Sequence, residues 1–131
     1  MTMAATREFV TKSLQLAEEF LKDAELSFSR DRFRAAINNA YYTFHHSASA
    51  CLAHLGIEPP KTHSGLISLF SREVVNKNLV DKSLGKSLRE SFELRQKSTY
   101  EIYVTLERKD VEEVLRNARE FLSRIKELTK T

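Results

Sequence analysis

Arg95 is the residue whose position most demands a chemical explanation. It follows Leu84, Leu88 and Phe92 on a stretch of helical periodicity. With Leu84 set at 0° and ~100° per residue, Leu88 falls at about 40°, Phe92 at about 80° and Arg95 at about 20°. The guanidinium therefore emerges from the middle of an apolar face. There it must snorkel, pair with a carboxylate (Asp31 and Glu93 are candidates) or face a groove or partner. In a groove its planar fork suits a phosphate.

A second constellation lies earlier in the chain. Asn38, Tyr42 and His45 are spaced by four and three residues and form a polar-aromatic ridge on one flank of a helix. Such a ridge offers stacking and hydrogen bonds together, which lines a nucleotide or RNA groove; it also suits a plain solvated face. Tyr41, by contrast, falls on the core stripe. His63 stands beside Lys61 and Thr62 at a loop-to-helix junction, ahead of unpaired helix N–H groups. An anion can bind there, or Thr62 or His63 simply caps the helix. Adjacent His45 and His46 point ~100° apart, and no histidine pair has the i, i+4 spacing of a helical metal site, so neither metal nor cofactor is expected. Cys51 lies on an apolar stripe and reads as an inert core thiol. The sequence contains no glycine-rich phosphate loop and no G-x-S-x-G element, and its carboxylates are scattered at salt-bridge spacings.

These residues need helices to hold them. With 3 Gly and 2 Pro in 131 residues, few breaks are available, and the composition favours helix. The spacing predicts a first helix over about 6–28, capped by Thr6 with Glu8 in its first turn. A second opens with Asp31 as cap, carries the stripe Phe33, Ala36, Ile37, Ala40, Tyr41 and Phe44, and stops at Gly56. The prolines at 59 and 60 make the following loop extended. A short helix over about 64–76, a turn at 76–78, a helix over about 82–99 capped by Asp81, and a last helix over about 110–128 complete the chain. Residues 102–106 are the one strand-like run, too short and isolated for a sheet. The expected fold is all-α: one domain over 1–131, an antiparallel up-and-down bundle of four long helices and one short one.

The 41% hydrophobic and 30% charged residues describe an ordinary globular chain, and one cysteine excludes an internal disulfide. No apolar run approaches the ~18 residues of a membrane span and no signal-peptide pattern opens the sequence, so the expected setting is cytoplasmic. The net charge of +3 permits a nucleic-acid partner without requiring one. Residues 30–62 and 63–105 each carry a net +2, which makes the middle of the chain the place for an anion.

Three segments, taken in order, resemble the HEPN domain family: Asn38-Asn39-Ala40-Tyr41-Tyr42-Thr43-Phe44-His45-His46, Thr62-His63-Ser64-Gly65-Leu66, and Leu94-Arg95 through Thr99-Tyr100. The likeness is to the small free-standing prokaryotic members and spans nearly the whole chain. It implies a helical bundle that acts as a homodimer and binds RNA or nucleotide. It further implies a toxin-like partner of a minimal nucleotidyltransferase antitoxin. Many members are metal-independent ribonucleases that use an arginine and, four to six residues on, a histidine, paired across the dimer. Arg95 matches the arginine; after Gln96, Lys97, Ser98 and Thr99, Tyr100 stands where the histidine would be. A phenol of pKa ~10 is a poor general base at neutral pH, so the resemblance with this substitution implies weak cleavage. The alternatives are an active endoribonuclease toxin, with Tyr100 or His63 as base, and a non-catalytic interaction module.

Overall fold

The computed structural model describes residues 2–130. Five helices follow one another: α1 (Met3–Ser29), α2 (Phe33–His54), α3 (His63–Phe70), α4 (Lys82–Tyr100) and α5 (Arg108–Thr129). A π-helical turn, Ser71–Val75, continues α3. Among the described residues there is no strand, and 102–106 is turn and irregular chain. The fold is an all-α bundle.

Three residues separate α1 from α2, and so short a connection makes the two antiparallel neighbours. Their interface is built from small side chains: Ala17 and Ala24 on α1 meet a helix carrying Ala36, Ala40, Thr43, Ser47 and Ala48, all fully buried. Small residues let the backbones approach, and the Thr43 hydroxyl crosses the gap to donate to the Ala17 carbonyl at 3.1 Å. On its other faces α2 packs against α3, α4 and α5. Phe44, Phe70 and Phe121 meet at the centre, with ring centroids 5.0 and 5.3 Å apart. The apolar residues at helical spacing on α5 form its inner face: Val111, Leu115, Ala118, Phe121, Leu122 and Ile125 are buried, and Val114 and Leu128 pack partly buried against the same core.

The helix starts differ from expectation in two places. Thr2, not Thr6, caps α1, accepting from the Ala5 amide at 3.0 Å; Thr6 lies inside the helix and donates its hydroxyl to the Thr2 carbonyl. Glu8 is therefore beyond the first turn. Asp31 does not cap α2. It occupies the left-handed region with φ 58°, a conformation that aspartate tolerates better than most residues, and pairs with Arg108. The expected features elsewhere are present. Asp81 caps α4 through the Ser83 amide at 3.0 Å, Thr62 caps α3 through the Gly65 amide at 3.1 Å, and Gly56 takes φ 81° just past α2.

Candidate anion site on helices α2, α3 and α4

The Thr62 cap fixes where α3 begins and so places His63 over the middle of α2. There the Tyr41 hydroxyl meets His63 Nδ1 at 2.6 Å. So short a contact suits an O–H donor, since N–H donors cluster near 2.9–3.0 Å. The Tyr41 hydroxyl is fully buried with no other partner among the described residues, so with Tyr41 donating its proton there, Nδ1 accepts and Nε2 carries the ring proton. Burial holds the Tyr41 phenol well above its ordinary pKa, which keeps that donor protonated. Tyr41 is fully buried, as its place on the core stripe requires, yet it also orients a site residue.

Arg95 rises from α4 toward the same patch. Its Nε donates to Asn38 Oδ1 at 3.3 Å, one terminal nitrogen donates to the Tyr42 hydroxyl at 3.4 Å, and the other to Gln96 Oε1 at 3.3 Å. The guanidinium carbon lies 5.7 Å from the Tyr41 ring centroid and 5.6 Å from that of Tyr42. Neither Asp31 nor Glu93 pairs with it, and among the described residues no carboxylate does. Every partner of Arg95 is neutral, so its charge is uncompensated on a half-buried aromatic bed.

His45 extends the bed, with its ring 5.3 Å from His63. Its pKa falls to about 4, chiefly through burial and then through His46 and His63. His63 is also held below the ordinary histidine value, by burial first and Arg95 second. At neutral pH Arg95 is then the fixed cation of the cluster. His45 Nδ1 is buried without a hydrogen-bond partner among the described residues. Phe20 of α1 and His46 stack over Tyr42 from behind, with Phe20 lying 5.3 Å from Tyr42 and 5.5 Å from His46.

Asn38, Tyr42, His45, His63 and Arg95 thus converge. Lys61 stays exposed on the loop, two residues from His63, without an ion pair among the described residues. Tyr100 is 73% exposed at the end of α4. Five residues beyond Arg95 it has rotated ~140° around the helix, and it lines the groove between α4 and α5 instead. Within one chain it does not join the cluster.

Three contributors escape the sequence patterns. The Tyr41 hydroxyl bond joins positions 22 residues apart, which periodicity cannot register. Phe92 looked like core, but packs its ring 5.5 Å from His63 and 5.6 Å from Tyr41. Arg34 near the start of α2 donates to the Ser98 carbonyl and to the Glu101 and Ile102 carbonyls at 3.3 and 3.4 Å, satisfying the end of α4. Its only sequence signal was a cation in the basic stretch 30–34. Beside Asn38 it helps line a shallow depression of about 550 Å³, with Ala35, Ser98 and Thr99. Chemically, the whole arrangement can hold an anion against Arg95 and the donor on His63 and stack a base on Tyr42. At the mouth of the site Nδ1 of His63 is already engaged by Tyr41, and the unpartnered Nδ1 of His45 is buried behind it.

Comparison with known proteins agrees with this architecture. A Thermotoga maritima protein named "UPF0332 protein" is 37% identical over 112 residues, 86% of this chain and 84% of its own length. The Methanocaldococcus jannaschii protein named "Putative toxin MJ0605" is 32% identical over 124 residues, 95% of this chain and 91% of its own. A second protein of that organism, "Putative toxin MJ0142", is 26% identical over 115 residues, 88% of this chain and 78% of its own. Residues 10–128 match the HEPN domain family, a span that takes in α2, α3 and α4 whole with most of α1 and α5, and the chain belongs to that family.

Proposed function

We propose that this chain is a toxin-like HEPN protein that binds RNA or a nucleotide through Arg95, acts as a homodimer in the cytoplasm and is controlled by a minimal nucleotidyltransferase antitoxin. The observation that carries the binding reading is the uncompensated guanidinium, held by Asn38 and Tyr42 on a bed of tyrosine rings. An arginine with only neutral partners is poised to form a charge-assisted, two-pronged contact with a phosphate. Tyr42, Asn38 and His45 supply stacking and hydrogen bonding beside it, and Lys61 and His63 add charge and a donor at the edge. The names of the two toxin-like relatives support the toxin reading. The antitoxin partner and the single-domain homodimer rest on the family resemblance. So does the pairing of Arg95 and Tyr100 across a dimer.

Cleavage of RNA needs negative charge stabilised on the phosphate and a proton taken from a ribose hydroxyl. Arg95 serves the first task. For the second, Tyr100 is a poor base, and His63 spends its acceptor nitrogen on Tyr41. The protein therefore binds RNA and cuts it weakly. Incubating the purified protein with a labelled single-stranded RNA tests this: retention of largely intact RNA is expected. Rapid cleavage abolished by Arg95→Ala would establish the active endoribonuclease instead. Absence of any binding would remove both.

A further inference from the structure

A wide recess lies away from Arg95. It is a groove of about 820 Å³ between α4 and α5. Its floor is apolar, with buried Phe44 flanked by half-buried Leu94 and Val114. Its walls carry Glu90, Glu93, Glu101, Asp110 and Glu113 against a single cation, Lys97. The lining thus has a charge of −4 in a chain of net +3. Of these carboxylates only Glu90 forms an ion pair among the described residues, with Lys86 at 3.7 Å.

We propose that the groove is a docking site for a basic amphipathic helix of a partner protein. The apolar floor takes a hydrophobic stripe, and the unpaired carboxylates take the Lys and Arg residues that flank it. RNA is excluded, because its phosphates would meet five carboxylates. A second copy seated along the groove across a two-fold axis would set acidic wall against acidic wall, so a dimer that pairs Arg95 with Tyr100 would meet the groove only at its Tyr100 end. The α4 side runs from Ser87 to Tyr100, ~20 Å or nearly four helical turns at 1.5 Å per residue, which is room for a helix. The docked helix would also reach the anion site from behind. Phe92 and Gln96 line the groove on one side, and on the other they touch His63 and Arg95. This inference stands apart from the RNA-binding reading, since none of the acidic groups belongs to the Arg95 cluster.

The test uses a fluorescein-labelled helical peptide of about 18 residues, long enough to span the groove, with a leucine stripe flanked by lysines. A counterpart carries glutamates in place of the lysines. Fluorescence anisotropy should show binding of the lysine peptide to the wild-type protein and none of the glutamate peptide. The variant Glu93→Lys/Glu113→Lys, changed at two exposed helical positions, should weaken lysine-peptide binding by about tenfold or more, as reversal of complementary charges does. Amide shifts on peptide addition should centre on Leu94, Val114 and Asn117. The proposal is overturned if the lysine peptide fails to bind, binds the variant equally well, or shifts residues elsewhere. It is also overturned if light scattering shows that the double variant changes the assembly state, since a second copy would then cover the groove. RNA binding is measured in parallel on the wild-type protein. RNA binding without peptide binding sinks the groove alone, and peptide binding without RNA binding sinks the anion site alone.

Discussion

Replacing Arg95 with alanine separates a binding arginine from a structural one, because the two roles predict opposite rankings of two measurable energies. In the free protein Arg95 makes three hydrogen bonds of 3.3, 3.3 and 3.4 Å to neutral oxygens. These lie beyond the usual 2.7–3.2 Å range, so each contributes little. Its approach to the rings of Tyr41 and Tyr42 adds about 0.5–1 kcal/mol at a half-exposed site. Arg95→Ala should therefore cost about 1–1.5 kcal/mol of stability, a fall in Tm of about 3–6 °C for a chain of this size. With phosphate bound, the same side chain makes charge-assisted contacts worth about 1.5–3 kcal/mol. Dissociation should weaken by about 10- to 150-fold. Anisotropy of a labelled single-stranded RNA at fixed salt gives the second number, and thermal unfolding gives the first. The dependence of log K on log salt should also lose about 0.7 in slope per phosphate contact removed. A large fall in Tm with RNA affinity unchanged would refute the reasoning and make Arg95 a packing residue.

Three further outcomes are expected. Tyr100→His restores an arginine–four–histidine spacing without changing length, and general-base catalysis of ~10²–10⁴-fold should then be recovered in a ribonuclease assay if the paired site forms across a dimer; no gain would show that Tyr100 is not the missing base. Static light scattering should report a dimer, twice the 15.1 kDa of one chain, and a stable monomer at micromolar concentration would contradict it. Stability should fall on acidification, because His45 titrates near 4 when folded and near 6.5 when unfolded. Between those values the unfolded chain binds a proton that the folded chain does not, so stability rises with pH across the window and is complete above it. Discounted for partial exposure the effect is about 1–2 kcal/mol, and denaturant midpoints at pH 4 and pH 7 should differ for the wild type but less for His45→Gln.

The helices were legible because their signals are local. The α5 stripe repeats at three and four residues and faces the core throughout, and Gly56 stops α2 as a left-handed residue must. The errors are local too. Asp31 and Thr6 are both good cap residues, and sequence pattern alone cannot tell which of several capping residues the chain will use. The turn after α1 needed a residue tolerant of φ 58°, and Asp31 was drawn there rather than into the cap. Thr2 lay one turn upstream of Thr6, so α1 simply extended to the earlier cap.

The candidate site was legible only where one residue broke the pattern of its own element. Arg95 stands out against Leu84, Leu88 and Phe92, and the structure places it beside Asn38 and Tyr42, the ridge that spacing had marked. What spacing could not give is which acceptors on each residue are already in use. Tyr41 reads as core and is core, yet its hydroxyl engages Nδ1 of His63. That single contact, between residues 22 positions apart, moves His63 from candidate catalyst to candidate donor. It also couples the two: Tyr41→Phe would free Nδ1 of His63 and release its tautomer. The same substitution leaves Arg95 its hydrogen bonds to Asn38, Tyr42 and Gln96. Under the proposed function, then, phosphate binding would depend on the Arg95 guanidinium and proton transfer on the ring nitrogens of His63, so a substitution at Tyr41 should alter the second and leave the first.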